Sequence, residues 1–279
     1  MKEIFKYILL LALVIFFFFP IYWLIITAFK VSSDWFDWPP VFIPTRFTIG
    51  NFLGTEGGFQ GSLATAISSI TPYLSNSIVV ALVTALASML IGSLTAYAIS
   101  RFKIGGMFFA SWIISIRMLP PIAAALPLYV MFSHLNLLNT KLSIILGHLV
   151  FTTPFSTWIL ITFFNDIPRE LDEAAYVDGA SMIRTFVSVI LPLSAPGLAA
   201  VASLAFIQSW GEFLLALILT SSAESQTLPI YLGRFITGWR IAWGPLAAAG
   251  LVTMVPVMTF SLIMQRYLLR GLTFGAVKY

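Results

Sequence analysis

Acidic side chains crowd one short stretch of this sequence, ELDEAAYVDGASMIRTFVSVILP from Glu170 to Pro192, where Glu170, Asp172, Glu173 and Asp178 stand close together. Carboxylates at that density favour the positive end of a helix dipole and offer acceptors to basic partner groups. Arg117 and Glu212 are different, because each lies inside a long apolar run. Charge is expensive there, and it marks either a pathway or a buried structural bond. Gln208 and Trp210 stand shortly before Glu212 and add a hydrogen-bonding amide and an aromatic face. Other chemistries find little support. His134 and His148 have no carboxylate or cysteine at ligand spacing, so no metal site is expected. No catalytic triad or paired acid–base site stands out. No Gly-Lys pair occurs, which excludes the G-x-x-x-x-G-K-[ST] phosphate loop.

The elements that position these residues follow from composition. Of 279 residues, 59% are hydrophobic and 9% charged, and the mean hydropathy is +0.96. Soluble domains carry roughly 25% charged residues, so the chain reads as an all-α membrane protein. Six apolar runs are long enough to cross a bilayer: Ile8 to Phe29, Ile78 to Ile99, Met107 to Phe132, Leu142 to Phe164, Gly197 to Leu219 and Pro245 to Met264. The first follows Lys2 and Lys6 as a signal peptide would. It is longer than the usual apolar region of such a peptide and lacks a clear cleavage site, so it reads as a permanent span.

Basic residues beside the spans set the orientation. With both termini cytoplasmic, Lys2, Lys6, Arg101, Lys103, Arg169, Arg184, Arg266, Arg270 and Lys278 lie inside, against Lys30, Arg46, Lys141, Arg234 and Arg240 outside. The net charge of +4 is then a matter of topology, and no run of Lys and Arg suggests nucleic acid. The chain divides into a first span over 1–30, an external loop over 31–77, and a membrane core over 78–279 with a cytoplasmic loop at 165–195 and a tail at 265–279. In the external loop, Trp35, Phe36 and Trp38 beside Pro39-Pro40 read as interfacial anchors. Ala81, Ala85, Ser88, Gly92 and Ala96 recur at helical steps along the second span and favour close packing. Leu119-Pro120-Pro121 and Pro127 should bend the third, either as a gate or as a kink whose freed carbonyls Arg117 holds.

The acidic stretch falls in the cytoplasmic loop. Pro168 suits a first helical turn, Gly179 can end a short helix in a left-handed conformation, and Ser181 can cap a second helix that Pro192 closes. The wording is specific: Glu173-Ala174-Ala175, then Gly179, then Leu191-Pro192 resembles the EAA loop of permease subunits in binding-protein-dependent ABC importers. Val189 stands where that family has Ile. The segments RMLPPIAAALPLYVMF, WGEFLLALIL, TLPIYLGRF and QRYLLRGLTFGAVKY resemble the sugar-importer branch, in particular its maltose-type six-span subunit.

The resemblance implies a type I ABC importer permease fold in a prokaryotic inner membrane. It implies coupling through Glu173, Ala174, Ala175, Asp178 and Gly179, and through a tail in which Gly275, Ala276 and Lys278 enter between two ATPase subunits; Tyr279 replaces the Gly that usually ends the family. Expected partners are a second permease subunit, two ATPase subunits that supply ATP and Mg, an external substrate-binding protein, a sugar and membrane lipid, with no cofactor on this chain. Arg117, Gln208, Trp210 and Glu212 are the expected substrate-pathway residues. An ion-coupled secondary transporter is the alternative, since it too would carry Arg117 and Glu212 in the membrane.

Overall fold

Apolar runs in hydrocarbon leave the backbone no water to bond, so they fold as helices. The computed structural model describes residues 2–44, 46–55, 63–238 and 241–275, with the backbone alone at 2, 63–68 and 268–275. The main helices are α1 (Lys2–Phe29), α2 (Leu63–Phe102), α3 (Gly106–Ser115), α4 (Pro121–His134), α5 (Lys141–Asn165) and α6 (Glu170–Val177). They are followed by α7 (Met182–Leu193), α8 (Ala195–Trp210), α9 (Leu214–Leu219), α10 (Leu228–Gly233) and α11 (Trp243–Gly275). No strand occurs among the described residues; two isolated bridges, Lys30 with Phe47 and Ile236 with Ile241, are the nearest approach.

Four helices are each long and apolar enough to cross a membrane, in α1, α2, α5 and α11, and two bent pairs raise the number to six if each pair is one span. The first pair is Gly106–Met118 with Pro121–His134, bent by 92°. Its break follows from proline: Leu119 is driven into an extended conformation before Pro120, and Pro121 then opens α4. The second pair is Met182–Leu193 with Ala195–Trp210, bent by 79°.

Three boundaries differ from those expected. The 31–77 loop contains the start of α2, because helical geometry runs from Leu63. Pro192 does not close the second cytoplasmic helix at Val189; a π-turn over Phe186–Ile190 carries α7 on to Leu193, with Pro192 tolerated within its last turn. The run Gly197 to Leu219 is not one helix, since α8 stops at Trp210 and α9 starts again at Leu214.

The chain forms two compact units, one from the chain through Leu74 with Ile230–Pro256, the other from Ser75–Pro229 with Val257 onward. In the first, Ala28, Ala247 and Ala248 form a buried core with Leu24, Phe52 and Leu251. Asn51 Nδ2 donates to the carbonyls of Ala28 (2.9 Å) and Lys30 (2.8 Å), which fastens the end of α1. A Cβ at Gly244 would collide with Asn51 and the Trp35 ring, so only glycine fits that close approach.

In the second unit the small residues of α2 do what their spacing suggests. Ser88 and Ser156 share a hydroxyl hydrogen bond of 2.5 Å, and a Cβ at Gly92 would lie 2.9 Å from Ser156 Cβ and 3.1 Å from the Thr157 amide nitrogen. α2 and α5 therefore meet almost backbone to backbone, as small-residue seams in membranes do. Nearer the cytoplasmic end, Ala96, Tyr97, Leu160, Phe164, Phe186 and Ile190 form a buried cluster in which the Tyr97 ring contacts Phe102, Phe164 and Phe186. Filling the seam should separate the two helices: Gly92→Val is expected to destabilise the detergent-solubilised protein by about 1–3 kcal/mol, the usual cost of overpacking. Thermal unfolding checks this, and an unchanged midpoint would contradict the tight approach.

Candidate functional site

The cytoplasmic knuckle is built from α6, a tight turn and α7. Its carboxylates divide by direction. Asp172 points inward, is 6% exposed, and pairs through Oδ2 with Arg101 Nε at 3.0 Å. Arg101 Nη2 also donates to the Ile167 carbonyl (3.0 Å), and Arg169 Nη2 returns a bond to the Ser100 carbonyl (3.1 Å). The end of α2 thus holds both α6 and the turn that leads into it. Glu173, Ala174, Asp178 and Gly179 are exposed and Ala175 is half-buried.

Gly179 takes φ +81°, and Ala180 N–H closes back on the Ala175 carbonyl at 2.9 Å. This left-handed ending is costly for any residue with a Cβ. Ser181 then caps α7, its hydroxyl accepting from Arg184 N–H at 3.3 Å. The result is a capped platform with three exposed carboxylates, Glu170, Glu173 and Asp178, small residues, and the exposed apolar side chains of Val177 and Ile183.

Sequence reasoning also singled out Arg117, Gln208, Trp210 and Glu212. The structure gathers three of them around one cavity of about 190 Å³, whose wall includes Arg117, Gln208 and Glu212 together with His148, Phe151 and Thr152. Trp210 does not line it. That ring is buried, stacked on Phe206 at 5.6 Å, and its indole nitrogen has no partner among the described residues.

Glu212 occupies the gap between α8 and α9 and serves first as a cap. Its Oε1 accepts from Leu215 N–H (2.8 Å) and its Oε2 from Ala216 N–H (3.1 Å), satisfying amides that start α9. His148 Nε2 lies 3.1 Å from the same Oε2, and His148 Nδ1 lies 2.7 Å from Ser209 Oγ. His148 therefore does have a carboxylate partner, although a distant one in sequence. Sequence spacing alone misses it, because its partners lie 61 and 64 residues further along the chain.

Arg117 lines the cavity and bonds a carbonyl of α5, not one freed by the bend in its own span. Its Nη1 donates to the Phe151 carbonyl (3.2 Å) and its guanidinium lies 4.4 Å from the Phe155 ring centroid. The bonded carbonyl sits beside Pro154, which disturbs the helix ladder of α5. The remaining N–H groups of Arg117 and the buried Oε1 of Gln208, which has no partner among the described residues, are free to meet a guest. Among the described residues no group of His, Asp and Glu could hold a metal ion. Of the tail residues, Gly275 ends α11, while Ala276 and Lys278 lie outside the described residues.

Residues 88–274 match the family described as binding-protein-dependent transport system inner membrane component. The trehalose/maltose transport system permease protein of Thermococcus litoralis is 33% identical over 263 residues, covering 93% of this chain and 91% of that relative. The trehalose transport system permease protein of Mycobacterium tuberculosis is 34% identical over 263 residues, covering 93% and 92%. In fold, the chain is similar to one in the crystal structure of a bacterial ABC transporter involved in import of the acidic polysaccharide alginate, with a TM-score of 0.77, 20% identity, and 95% and 96% of the two chains covered. Nothing in these likenesses supports the ion-coupled alternative. The chain belongs to the inner membrane components of binding-protein-dependent transport systems, as a permease subunit of an ABC importer and not an enzyme.

Proposed function

We propose that the chain forms half of the translocation pathway of an ATP-driven sugar importer, and that the knuckle is the surface through which a separate ATPase drives it. The observation that carries this is the division of the knuckle's carboxylates: Asp172 anchors it to Arg101, while Glu173 and Asp178 face outward on a stiff turn at Gly179. A platform fixed at its base and charged on its face transmits a push; a loose acidic loop would absorb it. Charged acceptors there suit basic groups of a partner, and Ala174 and Ala175 let its backbone come close.

The sugar follows from the relatives, whose names specify trehalose, maltose and, for a Streptomyces coelicolor protein, diacetylchitobiose. The assembly contains a second permease subunit, two ATPase subunits holding ATP and Mg, and an external binding protein. In the cavity, Gln208 Oε1 and the Arg117 N–H groups meet sugar hydroxyls, Glu212 and His148 fix the wall that carries them, and Trp210 supports it from behind through Phe206. The tail residues Gly275, Ala276 and Lys278 are the part of the chain that enters between the two ATPases.

Three experiments on the reconstituted complex test this reading. Glu173→Lys is expected to lower ATP-driven uptake roughly tenfold, the equivalent of one charge-assisted hydrogen bond of about 1.5 kcal/mol, and Gly179→Pro to abolish it, because proline cannot adopt a positive φ; normal uptake at normal membrane abundance would remove the coupling role. Gln208→Leu should impair uptake at unchanged thermal stability, whereas Glu212→Ala should also lose about 1 kcal/mol of stability with its cap. Equal transport kinetics for Gln208→Leu and the parent would leave the cavity without a sugar contact. Deleting 275–279 should preserve insertion and reduce substrate-stimulated ATP hydrolysis; full stimulation by the truncated subunit would show the tail to be dispensable.

A further inference from the structure

The far end of α1 carries polar groups that neither the knuckle nor the intramembrane cavity uses. Within the unit that includes α1, a cavity of about 390 Å³ is walled by Trp23, Lys30, Trp35, Phe36, Trp243 and Leu246. Lys30 is 2% exposed, and its ammonium lies 4.2 Å from the centroid of the Trp23 ring. The acid that acts on it is Asp34, itself buried and engaged by the Ser33 hydroxyl at 2.7 Å. Burial outweighs that influence and pushes the Lys30 amine below the ordinary lysine range. Beside it, the buried Trp35 indole N–H has no hydrogen-bond partner among the described residues. A desolvated cation and an unused donor on one wall call for an anion.

Two further observations bear on what carries that anion. Lys30 directly follows the last residue of an apolar helix, at the end that the distribution of basic residues places outside, and tryptophans surround it as they do at headgroup depth. Pro20, on the cavity wall, also borders a shallow apolar hollow formed by Ala12, Ile15, Phe16 and Phe19, all exposed. A free phosphate would fill the first and leave the second bare. We propose that the cavity holds the phosphate of an anionic phospholipid, with Lys30 and the Trp35 N–H as donors and an acyl chain along the hollow toward Phe16.

The assembled transporter, placed in nanodiscs of phosphatidylcholine with phosphatidylglycerol titrated in, tests this by native mass spectrometry of the lipid retained. The parent complex should prefer phosphatidylglycerol, Lys30→Arg should keep the preference, and Lys30→Met should lose about fivefold of it, the worth of one basic group near an anionic surface. Inorganic phosphate should not displace the lipid. Should Lys30→Met fail to assemble, Trp35→Phe removes the indole donor while keeping an aromatic ring, and is expected to weaken retention in the same direction. Equal retention by parent and variants, no lipid retained by the parent, or displacement by inorganic phosphate alone would each overturn the proposal.

Discussion

A backbone amide or carbonyl that leaves a helix inside a bilayer must find its partner within the protein, because hydrocarbon offers none. The second unit is organised around that requirement. Where α8 ends at Trp210, Glu212 takes up two amides of α9, and His148 and Ser209 hold the carboxylate in place. Where Pro154 disturbs α5, Arg117 reaches the neighbouring Phe151 carbonyl from the break after α3. The polar side chains that are expensive in lipid are thus the ones that make broken helices affordable, and the space left between the breaks is the cavity.

The same economy governs the cytoplasmic side. One inward carboxylate, Asp172, ties the knuckle to α2, and the π-turn over Phe186–Ile190 packs Phe186 and Ile190 into the aromatic cluster beneath it. Only after these interior demands are met do Glu170, Glu173 and Asp178 remain for a partner. α2 links both ends of this logic, since its small residues seat α5 and its last residues grip α6.

Features whose cause is local were legible in the sequence. Each apolar run carries its own hydropathy, Gly179 its own left-handed turn, and Ser181 its own cap, so spans and knuckle could be read without knowing what they touch. The helix end at Trp210 could not, because Gly211-Glu212 is a brief polar interruption in a run that hydropathy averages over. His148 has no ligand near it in sequence, and its partners lie 61 and 64 residues away. Asp172 and Glu173 are adjacent and chemically alike; which one turns inward depends on where Arg101 arrives, a fact of packing and not of composition. The 92° bend after α3 was signalled by Pro120 and Pro121, but its size depends on the helices around it.

The long reach from His148 to Ser209 and Glu212 also has a consequence for biogenesis. Ribosomes add about 5–20 residues each second, so α5 is complete several seconds before its partners have been made. During that interval the nascent chain holds an imidazole in mid-span with nothing of its own to bond. Lipid exposure of that polar ring is costly, and the cost is relieved only when α8 and Glu212 arrive. The fold thus relies on hydrogen bonds that reach across 61 and 64 residues of chain.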